Sequence, residues 1–108
     1  MANFKNSDSY DDALSESLRD PAYAAEYLNV HLAKDEGDSD EDAERLFLIA
    51  LRNVARAHGV SAIAERTALG RESLYKALSA GGNPKLTTLR AVLDAMGLQL
   101  SIHPRHAA

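Results

Sequence analysis

Five polar side chains stand close together between residues 71 and 76, and their types suit contacts with nucleic acid. They are Arg71, Glu72, Ser73, Tyr75 and Lys76. An arginine guanidinium can pair with the two acceptors of guanine in the major groove, and a lysine ammonium suits a phosphate. We therefore expect Arg71 to contact a base and Lys76 to contact the DNA backbone, with Ser73 between them.

Two of these side chains have an alternative role within the protein. The ring and hydroxyl of Tyr75 could touch a thymine methyl, or the ring could pack against a neighbouring helix. Glu72 lies four residues before Lys76. An intrahelical ion pair therefore competes with acceptance of a hydrogen bond from a cytosine amino group.

Three further residues could contact phosphate outside this cluster. Ser61 stands at the expected start of a helix, where its own backbone N–H and that of Ala62 could donate to an anion. Asn83 and Lys85 lie in a turn-rich link, where a purely local role in the turn competes with phosphate contact.

Residues 63–78 have the pattern of two short helices separated by a tight turn, which would present these side chains. The first helix is expected to run from Ala62 to about Ala68, with Ser61 as its N-cap. Four apolar residues fall where two steeply crossing helices would share a core: Ile63, Leu69, Leu74 and Ala77. The pattern predicts a helix-turn-helix, and an ordinary pair of packed helices is the alternative.

Capping signals predict longer helices before this motif. Asp20-Pro21 opens a helix that runs to about Lys34, and Ser39 opens another that ends at His58-Gly59. Tyr10 to Leu18 could add one or two helical turns. The buried stripes of the two longer helices are expected to contain Ala24, Tyr27, Leu28, His31, Leu32, Leu46, Phe47, Leu48, Ile49, Ala50, Leu51, Val54 and Ala57.

A further amphipathic helix is predicted after the motif. Its apolar residues are Leu86, Leu89, Val92, Leu93 and Met96, and it ends at Gly97. Leu98 to Ile102 then alternates apolar and polar side chains, as in a short half-buried strand. The sequence therefore predicts an all-α domain of five to six helices with a short C-terminal β-strand.

Charge is distributed unevenly along the 108 residues, whose net charge is −4. Residues 1–50 carry 13 acidic and 4 basic side chains, a net charge of −9, whereas residues 51–108 carry 3 acidic and 8 basic side chains, a net charge of +5. A DNA surface is expected in the basic half. The acidic half suits a basic partner, or it serves only to keep the chain soluble.

Several classes of protein are disfavoured. There is no cysteine, nucleophile elbow, phosphate-cradling loop or pair of histidines four apart, so we expect neither an enzyme nor a bound cofactor. His103 and His106 are two imidazoles without a third ligand, and no metal site is expected. No apolar run approaches the roughly 20 residues of a membrane span, and no signal peptide is evident, so a soluble cytoplasmic protein is expected.

The run from Ser61 to Ile102 resembles the Cro-type (XRE) helix-turn-helix domain of phage repressors and bacterial regulators, whose fold is lambda-repressor-like. The Gly82-Asn83-Pro84 link carries part of this resemblance, because such a link joins the recognition helix to the next core helix in that family. The chain departs from the pattern at Ala68, where glycine is usual, at Gly70, where a capping serine is usual, and at Lys85, where serine or threonine is common.

A closer resemblance is to the HigA-type addiction-module antidote proteins, and it covers about Tyr10 to Ile102. It rests on residues 71–79, 82–84 and 98–102, and upstream on Glu26-Tyr27-Leu28 and residues 53–59. It implies an antitoxin that binds a RelE/HigB-like ribonuclease toxin and represses its own operon.

The expected organisation combines these observations. Residues 1–9 are expected to be disordered, residues 10–59 to form acidic helices that are the candidate toxin-binding part, and residues 60–103 to form the DNA-binding part of the same domain. One motif makes a small contact, so binding to double-stranded operator DNA implies a homodimer on two half-sites. The alternatives are a free-standing phage-type transcriptional repressor without a toxin partner, and a protein-interaction module that does not bind DNA.

Overall fold

The computed structural model describes residues 12–34, 36–79 and 81–105 and is all-helical over these ranges. Residues 12–18 are helical and are named α1. The elements that follow are α2 (Pro21–Leu32), α3 (Asp40–His58), α4 (Val60–Thr67), α5 (Arg71–Ala77) and α6 (Leu86–Ala95). The predicted helix count is confirmed, whereas the expectation of a disordered segment at 1–9 lies outside the described residues.

The two long helices begin at the predicted caps. The Asp20 carboxylate accepts a hydrogen bond from the Ala22 N–H at 3.3 Å, and Pro21 occupies the first helical position. The Ser39 hydroxyl accepts from the Asp42 N–H at 3.1 Å. Both side chains satisfy a backbone donor that has no partner within its helix.

One apolar core contains residues from every helix. Its largest fully buried side chains are Leu18, Leu51, Val54, Ile63, Leu74 and Val92. α2 packs against α3, while α4 contacts α3, α5 and α6. The end of α1 is fixed by the Arg19 Nε, which donates to the Ala57 carbonyl at 3.1 Å. The acidic first half and the basic second half are therefore built on the same core.

Three residues predicted to be buried in the long helices are exposed: Leu32, Leu46 and Ile49. A fourth exposed apolar residue, Leu86, was expected on the core stripe of α6. α3 buries the face formed by Ala50, Leu51 and Val54. Because each residue of an α-helix is rotated by about 100° from the one before, Ile49 lies roughly opposite that face. The spacing of apolar residues was compatible with both faces of α3, and packing against α2 selects one of them.

The predicted strand at Leu98 to Ile102 is wrong for the described chain, because these residues form no strand. A strand is defined by hydrogen bonds to a neighbouring strand, and the described residues contain none. α6 ends as predicted at Gly97, whose φ is 78°, and the Leu98 N–H donates back to the Leu93 carbonyl at 2.8 Å. Leu100 and Ile102 are left exposed.

No single helix among the described residues is both long enough and apolar enough to cross a membrane. α3 and α4 pass that test of length and composition only when they are joined, and they meet at a bend of 96°.

Candidate nucleic-acid interface

Gly59 positions the first helix of the motif. This residue ends α3 and is also the N-cap of α4, with φ 101° and ψ 109°. Since one glycine in the positive-φ region turns the chain, α4 begins directly at Val60. The predicted capping role of Ser61 is therefore wrong, and Ser61 is instead the exposed second residue of α4.

Ala68 gives the turn between α4 and α5 a strained backbone geometry. Ala68 adopts the left-handed conformation, with φ 59° and ψ 18°, and it is the one non-glycine residue with a positive φ in the described chain. This conformation costs a residue with a Cβ on the order of 1 kcal/mol. The Thr67 hydroxyl donates to the Ile63 carbonyl at 2.7 Å and accepts from the Leu69 N–H at 3.4 Å.

α5 places its apolar side on α4 and its polar side in solvent. Leu74 is completely buried, and Ile63 and Leu69 belong to the same core cluster. Ala77 is half-buried. The predicted set is all exposed: Arg71, Glu72, Ser73, Tyr75 and Lys76. This arrangement is compatible with a helix-turn-helix, with the polar cluster on its outer face.

The structure gives little support to the alternative roles of two residues in this set. These roles are an ion pair of Glu72 with Lys76 and packing of the Tyr75 ring against a neighbouring helix. Glu72 and Lys76 make no ion pair in the described chain, in contrast to Lys34 and Asp40. Tyr75 is 42% exposed, and the described chain shows no hydrogen bond to its hydroxyl. Both side chains are therefore available to a ligand.

The link after α5 turns tightly against the end of that helix. The Gly82 N–H donates to the Ser79 carbonyl at 2.8 Å. A Cβ at Gly82 would lie 2.6 Å from the Ala77 carbonyl oxygen and 2.8 Å from that of Lys76, so only glycine fits without movement of the backbone. Lys85 is the N-cap of α6 and makes no capping side-chain bond.

Asn83 and Lys85, the two candidate residues in the link, are both exposed. The close approach of Gly82 to the end of α5 brings the link beside that helix. Both side chains are therefore free to reach a ligand that contacts α5.

Two positioning residues were missed by the sequence prediction. The Arg66 Nη1 donates to the Ala95 carbonyl at 2.9 Å and fixes α4 against the C-terminal end of α6. The Thr67 hydroxyl holds the turn. An arginine suits the free carbonyls at a helix end, but the sequence offered no sign of which helix Arg66 would reach, because the bond spans 29 residues.

The described residues contain no group of three or more His, Cys, Asp or Glu side chains that could hold a metal ion. His103 is exposed, and its Nε2 lies 3.0 Å from the Ser101 hydroxyl. The candidate interface consists of the exposed donors and acceptors of α5 and of the link that follows it.

Comparison with known proteins places this chain among relatives. A family model described as "Probable addiction module antidote protein" matches residues 8–104. An uncharacterised protein of Haemophilus influenzae (strain ATCC 51907 / DSM 11121 / KW20 / Rd) is 45% identical over 62 residues, which are 57% of this chain and 64% of that relative. The chain thus spans slightly less than two thirds of the length of this relative. No solved structure matches the chain significantly.

Proposed function

Because the chain belongs to the family of probable addiction module antidote proteins, we propose that it neutralises the toxin of its module by direct binding and represses its own operon. An antidote protein implies a toxin partner. The resemblance to HigA-type antidotes supports a basic RelE/HigB-like ribonuclease as that toxin, and the resemblance to Cro-type (XRE) regulators supports operator DNA as the second ligand.

The observation that carries the DNA-binding proposal is the placement of α5. Its apolar side chain Leu74 is completely buried, while five consecutive non-core positions around it are exposed and polar. A recognition helix needs such a division, because one face must be held rigidly while the other enters the major groove.

Each exposed residue has a proposed role. Arg71 reads a base, since its position at the start of α5 suits a helix whose N-terminal residues reach the groove floor. Lys76 contacts phosphate, while Glu72, Ser73 and Tyr75 contact base edges or backbone. The phosphate contacts are completed by Ser61, Asn83 and Lys85.

A homodimer is part of the proposal, because two half-sites about one helical turn apart multiply the small contact of one motif. The segment from Leu98 to Ile102, which is exposed from Gln99 onward, is a candidate for the dimer contact. It has the alternating pattern of a strand and no strand partner among the described residues. A second copy would supply that partner, and α6 is the neighbouring candidate surface.

The toxin-binding role is assigned to the acidic helices of residues 10–59. Their net charge contrasts with that of the second half, and a ribonuclease that binds RNA phosphates is expected to be basic. In this proposal the protein binds the toxin through residues 10–59 and DNA through residues 60–103.

One paired experiment tests the proposal. The full chain is mixed with its own upstream DNA in a mobility-shift assay at low salt, and it is co-expressed with the product of the adjacent gene for co-purification. We expect a sequence-specific shift and a stable complex with a small basic protein. A shift without any partner would favour a free-standing phage-type repressor, and a partner without any shift would indicate a protein-interaction module.

A further inference from the structure

The acidic half exposes an apolar surface that the core does not use. Val30 is 72% exposed and Tyr23 is 44% exposed on α2, while Leu46 is 50% and Ile49 is 40% exposed on α3. With Tyr27 these residues form a set that we name the hairpin patch: Tyr23, Tyr27, Val30, Leu46 and Ile49. Exposed apolar side chains that lie together commonly mark an interaction site.

Two contacts establish how α2 and α3 run past each other. The Lys34 Nζ lies 2.7 Å from an Asp40 carboxylate oxygen, and the Asn53 Nδ2 donates to the Tyr27 hydroxyl at 3.1 Å. Progress along α3 from Asp40 to Asn53 therefore corresponds to the reverse direction along α2. The two helices form an antiparallel hairpin.

The members of the hairpin patch lie on the same side of this hairpin, between the two contacts or just beyond them. Ile49 and Leu46 precede Asn53 by four and seven residues, so they share its face of α3. On α2, Tyr23 and Val30 precede and follow Tyr27 by four and three residues, on the face of Tyr27. A shallow groove of about 300 Å³ runs along this face and is lined by Tyr23, Glu26, Tyr27, Val30 and His31.

The charges on the α2 side of the hairpin patch are mainly negative. Between Pro21 and Glu44 the only lysine or arginine is Lys34, and it is already paired with Asp40. The exposed carboxylates in this range are those of Glu26, Glu36, Asp40, Glu41, Asp42 and Glu44. On α3, Arg45 precedes Ile49 by four residues and Arg52 follows it by three, so both arginines lie on the Ile49 face of that helix. The acidic border therefore lies along α2 and the start of α3, and an apolar centre with such a border fits a basic protein with an apolar ridge of its own.

We propose that the hairpin patch is the surface on which the basic toxin docks, with Val30 and Ile49 near its centre and Glu26 on its border. This inference rests on the proposed antitoxin function and locates the toxin site on the outer side of the α2–α3 hairpin. The aromatic rings of Tyr23 and Tyr27 suit such a site, because tyrosine is enriched at interface centres. α5 belongs to the opposite, basic half of the sequence, so DNA and toxin would bind different elements.

The test uses the full chain with the product of the adjacent gene as the probe, and it compares Val30→Lys and Ile49→Lys with Leu86→Lys. Leu86 lies on α6 outside the hairpin patch and is 62% exposed, so its replacement introduces the same charge at similar exposure. We expect the two patch variants to weaken toxin binding by about tenfold or more, as for central interface residues. Leu86→Lys should bind the toxin like the wild type.

A second pair of variants tests the acidic border. Glu26→Gln should slow association with the toxin at low salt, because border charges act mainly on the association rate. Glu65→Gln removes an exposed carboxylate from α4 and should leave that rate unchanged. Circular dichroism and the DNA shift of every variant show whether the fold is retained.

The outcomes separate this inference from the proposed function. If the wild type does not bind the probe, the antitoxin function fails and the docking site fails with it. If the wild type binds and the folded patch variants bind equally well, the function stands and the docking site is wrong. If the patch variants instead convert a dimer of the free chain into monomers, the hairpin patch is a contact between two copies, which also overturns the inference.

Discussion

Ala68 illustrates how one residue sets the geometry of the turn between α4 and α5. Its φ of 59° carries the chain from α4 into α5, and the Thr67 hydroxyl supports the same turn through its bonds to Ile63 and Leu69. Because a Cβ is unfavourable in this conformation, the packing of Leu74 on the core must offset the cost. The strain is local, so a single substitution can relieve it.

We expect Ala68→Gly to raise the free energy of unfolding by up to about 1 kcal/mol, since glycine takes positive φ without a steric cost and loses part of this gain through its freedom in the unfolded chain. The matched control is Ala62→Gly in α4, where glycine should lower that free energy by about 0.5–1 kcal/mol. Urea unfolding measures both. Equal destabilisation by the two variants would contradict the strained turn.

At the DNA surface, Arg71 and Lys76 are expected to differ in the kind of binding they support. Arg71→Ala should cost about 1–3 kcal/mol of binding free energy on operator DNA and relax the preference at one base pair. Lys76→Ala should weaken binding to all DNA sequences alike and reduce by about 1 the slope of log K against log salt concentration. Titrations on operator and random DNA at several salt concentrations measure this. If Arg71→Ala lost as much on random DNA, its assignment as the base-reading residue would be rejected.

At the scale of the elements, most features that depend on neighbouring residues were predictable, although the cap predicted at Ser61 was wrong. Asp20 and Ser39 cap α2 and α3 as expected, because a capping side chain reaches only two or three residues along the chain. The burial of Leu74 between exposed polar residues also followed from helical spacing alone. The candidate DNA surface was accessible to prediction for the same reason.

Features that depend on a distant partner were not predictable. Leu46 and Ile49 are apolar, but their exposure depends on which face of α3 packs against α2. The bond from Arg66 to Ala95 joins residues far apart in the sequence. The strand predicted at Leu98 to Ile102 requires a neighbour that the described chain does not provide.

An ion pair between Lys34 and Asp40 bridges the connection between α2 and α3. The contribution of this pair to stability depends on pH. Its hydrogen bond and the positive charge of Lys34 lower the pKa of the Asp40 carboxyl in the folded chain. A carboxyl whose folded pKa lies below its unfolded value contributes stability above the unfolded pKa and loses it as the pH falls through the folded pKa. Both side chains are well exposed, so the contribution to stability is small.

Lys34→Met should raise the pKa of the Asp40 carboxyl towards its ordinary value, because both the hydrogen bond and the positive charge are removed. An NMR titration of the side-chain carboxyl measures the change. Lys85→Met removes a lysine from the opposite half of the sequence and should leave that pKa where it was. An unchanged titration of Asp40 in Lys34→Met would show that the pair does not persist in solution.

The whole molecule combines an acidic and a basic half of the sequence on one core. Residues 1–50 have a net charge of −9 and residues 51–108 a net charge of +5. Burial of Leu18 from α1 in the cluster that contains Leu74 and Val92 couples the two halves mechanically. The proposed homodimer would add a third contact at the end of the chain, where Ile102 is 97% exposed.

Replacing both Leu100 and Ile102 by aspartate should convert the free dimer into monomers, because two charges would then have to be buried in the proposed strand pairing. Binding to operator DNA should weaken when the dimer dissociates, because each monomer holds a single motif. Light scattering measures the mass, and Val30→Asp provides the control on the α2 surface. A double variant that stays dimeric would move the contact away from this segment.

The bond from Arg19 to the Ala57 carbonyl and the burial of Leu18 have a consequence for how the protein would be destroyed. A protease that removed α1 and α2 would not leave a working DNA-binding fragment, because the remaining helices would expose the side chains on which those two helices had packed. A single cleavage in the acidic half would then abolish both proposed activities, so that toxin inhibition and operon repression would be lost at the same rate.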